Sequence, residues 1–258
     1  MGDWDAKVYE RVSEPQFRWG QRVLERLPLR DDEAVLDAGC GAGRLTELLA
    51  DRVPRGRVVA LDASEGMLER ARLRLSRFGD RVTFVKADLA KHVERPAVDA
   101  VFSTATFHWV LEHDALFSSI HASLKPGGAL IAQCGGAGNL TRLRGRTARL
   151  RASAEYAPLF ADFREPWHYA TPEETRRRLE RTGFVDARAW LEPAATPFED
   201  AATFREFLVH VILRDDLGRI GDEALREKFV DALVDAAGKD TPAFELDYQR
   251  LNIEAKRG

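Results

Sequence analysis

Closely spaced glycines and two aspartates in the first half of the sequence have the chemistry to bind a ligand that carries hydroxyl groups. Glycines occupy alternate positions in the segment Gly39–Gly43, just after Asp37. Such a loop lets the backbone turn sharply and lets a ligand approach without a Cβ in the way. Asp62 and Asp88 follow, and an acid about 20 residues beyond such a loop can accept hydrogen bonds from both ribose hydroxyls. These residues predict a nucleoside-like ligand.

Short apolar runs alternate with helical spacing between residues 33 and 134, and these elements position the loop and the acids. Continuous apolar runs followed by helices are typical of buried parallel strands. The runs begin at Ala34, Arg57, Val82, Val98 and Ala129. The alternation predicts a doubly wound α/β sheet with right-handed crossovers. The loop and both acids then lie at the carboxyl ends of strands, where open α/β sheets bind ligands.

The regular alternation breaks after the fifth run, and the rest of the chain predicts mostly helices. The predicted elements are a helix over 171–183, a sixth strand over 185–191, helices over 199–240 and a last strand over 244–255. The last strand alternates apolar and polar residues. We therefore expect it to be half exposed and antiparallel, at the end of the sheet.

The composition is ordinary for a globular protein, with 45% hydrophobic and 31% charged residues among 258. The net charge of −3 argues against a protein that grips nucleic acid along its length. Two cysteines, Cys40 and Cys134, suit a reducing compartment. The sequence shows no signal peptide and no run of about 18 apolar residues that could span a membrane. We therefore expect a soluble, cytoplasmic protein.

The glycine loop does not fit two common nucleotide motifs. The dehydrogenase fingerprint needs a different glycine spacing, and no Gly-Lys-Ser/Thr follows as in a P-loop. The loop and the segments after it resemble the class I S-adenosylmethionine-dependent methyltransferases. The matching segments are Leu36–Gly43, Leu61–Ser64 with Met67, Ala87–Leu89, Asp99–Ser103 and Leu124–Gly128.

The resemblance implies a Rossmann-like, doubly wound, seven-stranded sheet with its last strand antiparallel and a helical cap. It implies one methyltransferase domain over 1–258, with a cofactor-binding core over 33–134 and cap segments over 1–30, 137–171 and 199–240. The cofactor is S-adenosylmethionine and the product S-adenosylhomocysteine. The residues implied to bind it are Asp37, Gly39, Cys40, Gly41, Gly43, Asp62, Ala63, Met67, Ala87, Asp88, Leu89, Ser103, Thr104 and Trp19.

Individual roles also follow from the resemblance. The glycine loop would cradle the methionine part of the cofactor, and Asp62 would hold the ribose diol. Ala63 and Met67 would pack near the adenine, whose amino group would donate to Asp88. Ser103 and Thr104 would line the sulfonium and face the acceptor.

The segment after the fourth strand, Ser103–Val110, is the one most informative about the methyl acceptor. It lacks the Asn/Asp-Pro-Pro-aromatic motif and the nucleophilic cysteine of DNA base methyltransferases. Together with 135–139 and 4–9, it resembles the trans-aconitate methyltransferase-like branch. That resemblance implies a small-molecule acceptor, with an oxygen as the methylated atom, in a carboxylate or a hydroxyl.

A carboxylate is already ionised at neutral pH and needs no general base, whereas a hydroxyl acceptor does. His108 is the candidate base, and a purely structural role for it stays open. Tyr9 and Trp19 are candidates to close over the methyl donor, or simply to pack in the core. Tyr9 is therefore a second candidate catalytic residue.

Further residues are candidates to bind the acceptor: Thr104, His108, Trp109, Arg142 and Trp167. Arg142 belongs to an arginine-rich stretch, which is either a solvated helix face or a source of partners for an anionic acceptor. The sequence shows no metal-ligand spacing. Two alternatives stay open, a non-catalytic protein that binds S-adenosylmethionine and a nicotinamide-dependent oxidoreductase. The sequence does not indicate the oligomeric state.

Overall fold

A computed structural model describes residues 14–258. The strands of the main sheet are β1 Ala34–Ala38, β2 Arg57–Asp62, β3 Val82–Lys86, β4 Val98–Thr104, β5 Leu124–Gly135, β6 Phe184–Pro193 and β9 Gln249–Arg257. A separate short pair consists of β7 Thr196–Pro197 and β8 Glu245–Leu246. The α-helices are α1 Glu14–Glu25, α2 Arg44–Arg52, α3 Glu65–Leu75, α4 His113–Ser123, α5 Thr141–Arg151, α6 Pro172–Thr182, α7 Ala201–Phe207, α8 Arg214–Arg219 and α9 Glu223–Gly238.

The main sheet has seven strands in the order β3-β2-β1-β4-β5-β9-β6. The first five pair in parallel, and β9 is antiparallel to both β5 and β6. The predicted seven-stranded, doubly wound sheet with an antiparallel last strand is confirmed. The strand order reverses between β1 and β4, so the carboxyl ends of these two strands flank the crevice where such sheets bind ligands.

The predicted place and exposure of the last strand are wrong. β9 lies between β5 and β6, one strand in from the edge, and Leu251, Asn252 and Ile253 are all buried. Two of the polar residues that made the strand look half exposed, Arg250 and Asn252, are buried and hydrogen-bonded. Asn252, for example, accepts from the side-chain amide of Gln133 at 2.9 Å.

Local sequence signals explain where the helices begin and end. Thr171 accepts from the backbone N–H of Glu174 while the Glu174 side chain accepts from the backbone N–H of Thr171, which forms a capping box. Gly183 ends α6 in the left-handed conformation that glycine adopts without strain. The helix predicted over 171–183 is thereby confirmed.

Apolar side chains form three clusters. Two cover the opposite faces of the main sheet. The third is built by α1, α5, the segment after it and α7 to α9, and it contains Trp19, Leu143, Phe207, Leu233 and Tyr248. This third cluster is here called the cap core. Within residues 14–258, no helix is long and apolar enough to cross a membrane.

Candidate functional site

The loop after β1 is held in place by the neighbouring strand. The backbone N–H groups of Gly39 and Cys40 both donate to the carbonyl of Leu61, at 2.8 and 2.9 Å. Gly39 has φ +90°, and a Cβ there would lie 2.1 Å from Oγ1 of Thr106, so only glycine fits. Gly41 also has positive φ, +53°, but a Cβ on it would meet no atom within 4 Å. The space above Gly41 is open to a ligand.

Gly43 serves packing instead. A Cβ there would lie 3.0 Å from Leu75 and 3.2 Å from Ala71, both on α3. The glycine therefore lets α2 begin close against α3. Its φ of +83° places it as the left-handed residue before that helix.

Asp62, the last residue of β2, joins the loop to the next helix. One carboxylate oxygen accepts from the N–H of Gly41 and the other accepts from the N–H of Ser64, each at 2.9 Å. The carboxylate is partly exposed at the carboxyl end of β2, where a ligand diol can reach it.

Asp37 lies under the loop and is 2% exposed. Its carboxyl accepts a 2.6 Å hydrogen bond from the hydroxyl of Thr46. Burial raises the pKa of Asp37 to about 7, and the nearby charge of Asp62 also raises it, while the Thr46 hydrogen bond opposes the rise. At neutral pH this carboxyl is therefore poised between its neutral and charged forms.

A pocket opens between this loop, the end of β4 and the start of α1. Its lining residues are Gln16, Phe17, Asp37, Gly39, Cys40, Gly41, Ala42, Arg44, Leu45, Thr104 and Ala105. Four of the predicted cofactor-binding residues of the loop segment thus share one pocket with Thr104. We call it the loop pocket.

Gln16 and Phe17 are loop-pocket residues that sequence reasoning missed. Oε1 of Gln16 is buried and has no hydrogen-bond partner within the described part of the chain. A buried acceptor without a partner is costly, which favours a ligand that donates to it. The available signal was helical spacing, because Gln16 and the buried Trp19 lie three positions apart on one face of α1.

The predicted adenine-side residues follow β2 and β3. Ala63 is exposed, whereas Met67 and Leu89 are buried, and Ala87 donates its N–H to the carbonyl of Asp62 at 3.2 Å. The exposed side chain of Asp88 accepts from the N–H of Ala90, which lowers its pKa. Its position at the end of β3 places it next to the end of β2.

Ser103 and Thr104 lie on opposite faces of β4. Thr104 lines the loop pocket, but Ser103 is 1% exposed, and its hydroxyl donates to the carbonyl of Ala38 at 2.6 Å. The prediction that the Ser103 side chain lines the cofactor is therefore wrong. Strand alternation turns it to the other face, where it ties β4 to β1.

His108 is buried in a cluster of aromatic rings at the carboxyl end of β5. Its Nδ1 accepts from the N–H of Gly135 at 3.3 Å, and its ring lies 5.7 Å from that of Tyr169. Burial lowers the pKa of His108 well below its usual value, and the charges of Arg250 and His113 lower it further. The ring is therefore neutral, with its proton on Nε2, a tautomer assigned from the Gly135 hydrogen bond.

Trp109 and Trp167 extend this aromatic cluster. The two rings meet edge to face at 5.4 Å, and Trp167 stacks on Tyr169 at 5.8 Å. Neither tryptophan is among the residues that line the loop pocket. They stay candidates for the acceptor side.

Trp19 packs in the cap core. Its ring meets Tyr248 edge to face at 5.1 Å, and the guanidinium of Arg250 lies 4.7 Å from its centre. The ring does not line the loop pocket. The prediction that Trp19 contacts the cofactor is replaced by a packing role. The second candidate to close over the donor, Tyr9, lies outside the described residues.

Arg142 is paired within the cap. Its guanidinium is held by carboxylates of the cap, 3.3 Å from Glu245 and 3.7 Å from Asp240. Of its neighbours, Arg146 pairs with Asp240 and Arg151 pairs with Asp216. These pairs give the arginines a role in holding the cap together, while binding of the acceptor by Arg142 stays a prediction.

Two arginines, Arg144 and Arg250, lie close enough to the aromatic cluster for their charges to lower the pKa of Tyr169. The guanidinium of Arg144 lies 5.2 Å from the Tyr169 ring centre. Arg250, on β9, is 4% exposed, and its Nε lies 3.5 Å from Oε1 of Gln133. Sequence reasoning missed Arg250 because nothing local distinguishes it from a surface arginine.

Comparison with known proteins agrees with this site. A family model described as a methyltransferase domain matches residues 35–128. The chain is 36% identical over 200 residues to a trans-aconitate 2-methyltransferase of Methylobacterium nodulans, covering 73% of this chain and 75% of that protein. A second relative of that name, from Methylobacterium radiotolerans, is 34% identical over 195 residues, covering 76% of this chain and 70% of its own length. The match to a third, from Paracidovorax citrulli, is 39% identical over 135 residues and covers 52% of this chain and 50% of that protein.

Solved structures share the fold at low sequence identity. Phosphoethanolamine N-methyltransferase 2 of Haemonchus contortus, in complex with S-adenosyl-L-methionine, superposes with a TM-score of 0.63 at 20% identity, covering 98% of this chain and 56% of that one. The YcgJ protein of Bacillus subtilis superposes with a TM-score of 0.62 at 15% identity, covering 92% and 97%. The sheet topology, the glycine loop and these relatives together show that the chain belongs to the class I S-adenosylmethionine-dependent methyltransferases, in the trans-aconitate methyltransferase-like branch.

Proposed function

We propose that this enzyme methylates a carboxylate oxygen of a small organic acid, as the names of its trans-aconitate 2-methyltransferase relatives suggest. The observation that carries the proposal is the state of His108. His108 is the base candidate that the sequence predicts, and burial keeps it neutral with Nδ1 already engaged by Gly135. A carboxylate acceptor needs no proton removed, so the reaction can proceed by positioning alone.

The residues of the loop pocket fit S-adenosylmethionine. The open space above Gly41 admits the methionine part, and Oε1 of Gln16, which has no partner within residues 14–258, suits its amino group. We assign the ribose hydroxyls to the carboxylate of Asp62, and the adenine to the region near Met67 and Asp88. When bound, the cofactor supplies an electrophilic methyl group on a sulfonium.

The protein's own contribution is then orientation and exclusion of water. Asp37 sets the charge beneath the loop, and Thr104 forms the wall between the loop pocket and the acceptor side. His108 has its proton on Nε2, so it can donate a hydrogen bond to an acceptor oxygen but is a poor base. The aromatic rings of Trp109, Trp167 and Tyr169 keep this side dry, which strengthens every polar contact made there.

The proposal is tested by release of S-adenosylhomocysteine from S-adenosylmethionine in the presence of trans-aconitate, monocarboxylates and alcohols. We expect turnover with carboxylates and none with alcohols. Wild type and Asp62→Ala are also titrated with S-adenosylhomocysteine. The variant should bind it about 10-fold more weakly or worse, since hydrogen bonds to a charged group are lost. Turnover with alcohols alone would contradict the carboxylate proposal.

His108→Asn separates a base from an orienting group. If His108 only orients the acceptor, kcat falls but its pH dependence keeps its shape. Loss of an ionisation below the usual histidine range in the variant would instead identify His108 as a base and favour a hydroxyl acceptor, because burial lowers the pKa of His108.

A further inference from the structure

Arg250 reaches the same face of the sheet as the loop pocket. Thr104 pairs with Gln133 across β4 and β5, and Gln133 pairs with Asn252 across β5 and β9. Residues paired directly across strands point to the same face, as do residues two apart on one strand. Arg250, two positions before Asn252, therefore shares the face on which Thr104 lines the pocket.

Arg250 stands farther toward the carboxyl edge than Thr104. It pairs with Gly135, which brings no side chain to that face. A Cβ on Gly135 would lie 2.6 Å from the ring of Tyr169, so this ring fills the place beside Arg250. The glycine thus leaves room for Tyr169 on the same face of the sheet as Arg250.

Tyr169 has a fixed hydroxyl. Asn139 accepts the N–H of Gln249 through Oδ1 at 2.8 Å, and its side chain also hydrogen-bonds Tyr169. The Asn139 hydrogen bond lowers the pKa of Tyr169, so the amide nitrogen donates to the phenol oxygen and the phenol O–H stays a donor. This donor lies beside the ring face that Arg144 covers.

The two arginines give this corner a positive field. Burial raises the pKa of Tyr169 to about 12, while the charges of Arg144 and Arg250 oppose the rise. Arg250 similarly opposes the effect of burial on the thiol of Cys134, whose pKa is about 12. Glu165 acts on Tyr169 in the opposite direction, toward a higher pKa. Glu192, which pairs with Arg250 across β6 and β9, is exposed and accepts from Asn252.

A guanidinium that forms a bidentate pair with a carboxylate withdraws electron density from the carboxylate oxygens. Such a pair is unsuited to the oxygen that must attack a methyl group, because attack needs a free lone pair in line with the bond that breaks. The two arginines are therefore better placed to hold a carboxylate that does not react. The reacting carboxylate lies nearer Thr104.

We propose that Arg250 and Arg144, with the Tyr169 hydroxyl, form an anion subsite that binds a second, non-reacting carboxylate of the acceptor and so sets specificity for polycarboxylates. This assignment rests on the proposed carboxyl methylation. In the transfer itself, the attacking carboxylate oxygen forms the new bond to the methyl carbon while the carbon–sulfur bond breaks and the sulfur takes its electron pair. The subsite residues take no part in that exchange and act by positioning.

The test uses Arg250→Gln and Arg144→Gln, with Arg149→Gln as the matched control. Arg149 lies on the same helix as Arg144 and is exposed. Each variant is assayed with trans-aconitate and with the monocarboxylate crotonate, and each is titrated with S-adenosylhomocysteine to check the loop pocket. Calorimetry of trans-aconitate into the protein saturated with S-adenosylhomocysteine gives acceptor binding without turnover.

We expect both subsite variants to raise KM for trans-aconitate by about 10- to 100-fold, the loss of one or two charged hydrogen bonds. Their kcat/KM for crotonate and their affinity for S-adenosylhomocysteine should stay within about twofold of the wild type, as should every value for Arg149→Gln. Equal losses for both acids, or no loss for trans-aconitate, would overturn the subsite. If Arg250→Gln does not fold, Arg144→Gln alone decides. A wild-type enzyme that methylates no carboxylate would instead overturn the proposed function.

Discussion

The buried carboxyl of Asp37 makes the stability of the cofactor-free protein depend on pH in an unusual direction. Its pKa is raised from 3.8 to about 7 by burial. Between about pH 4 and pH 7 the native state therefore keeps a proton that the unfolded chain has lost, and stability falls as the pH rises. Above about pH 7 both states are ionised, and no further stability is lost from this group.

The magnitude follows from the size of the shift. A rise of about 3 pKa units corresponds to about 4 kcal/mol in full, at 1.36 kcal/mol a unit. Between pH 5 and pH 8 the expected loss is about 2.5 kcal/mol, because part of the cost is already present at pH 5. Asp37→Asn removes this titration and keeps an acceptor for the Thr46 hydroxyl.

The assay is urea denaturation of both proteins at pH 5, 6, 7 and 8 without cofactor. The unfolding free energy of the wild type should fall relative to that of Asp37→Asn by about 2.5 kcal/mol over this range. Asp80→Asn, at an exposed position, should follow the wild type. A constant difference between wild type and Asp37→Asn would refute a raised pKa, and so the account of charge beneath the loop.

Three other substitutions test the cap and the loop. Asp216→Asn breaks the buried pair of Asp216 and Arg151, whose side chains are 2% and 9% exposed, respectively. The variant should lower the unfolding free energy by about 3–5 kcal/mol in urea denaturation. A loss under about 1 kcal/mol would contradict a structural role for the pair. Gly39→Ala places a Cβ 2.1 Å from Thr106 at φ +90° and should abolish S-adenosylhomocysteine binding or folding. Gly41→Ala meets no atom, so it should cost only about 1–2 kcal/mol, read as a melting shift of a few degrees. Equal shifts for the two alanines would show that the loop is not held as described.

The fold was largely predictable because its signals are local. Five apolar runs alternate with helices, and each run became a parallel strand, four of them largely buried and the edge strand β3 partly exposed. The place of β9 was not predictable in this way. In the sequence, polar residues such as Arg250 and Asn252 suggest exposed positions. They are buried because β9 pairs with β5 on one side and β6 on the other, and this pairing is not visible in the sequence.

The candidate site has one part that local motifs predict and another part that they do not. The glycine loop, Asp37 and Thr104 are close in space because their strands are neighbours, and a motif in sequence order predicts that. The acceptor side is assembled from distant segments. The cluster of arginines in the sequence favoured Arg142 as a partner of the acceptor. In the structure, Arg142 is paired with the carboxylates of residues 240–247 in the cap. Arg250, the arginine of the proposed anion subsite, lies instead on the last strand. Residues this far apart in the sequence form no local motif, so their proximity could not be predicted.

The chemical nature of the methylated product tests the central claim most directly. The enzyme is incubated with methyl-labelled S-adenosylmethionine and trans-aconitate, and the product is treated with mild alkali. A methyl ester hydrolyses and releases labelled methanol, which is the result that carboxyl methylation predicts. Label that survives alkali, as on a hydroxyl, nitrogen or carbon, would contradict it, as would the absence of any transfer to a carboxylate.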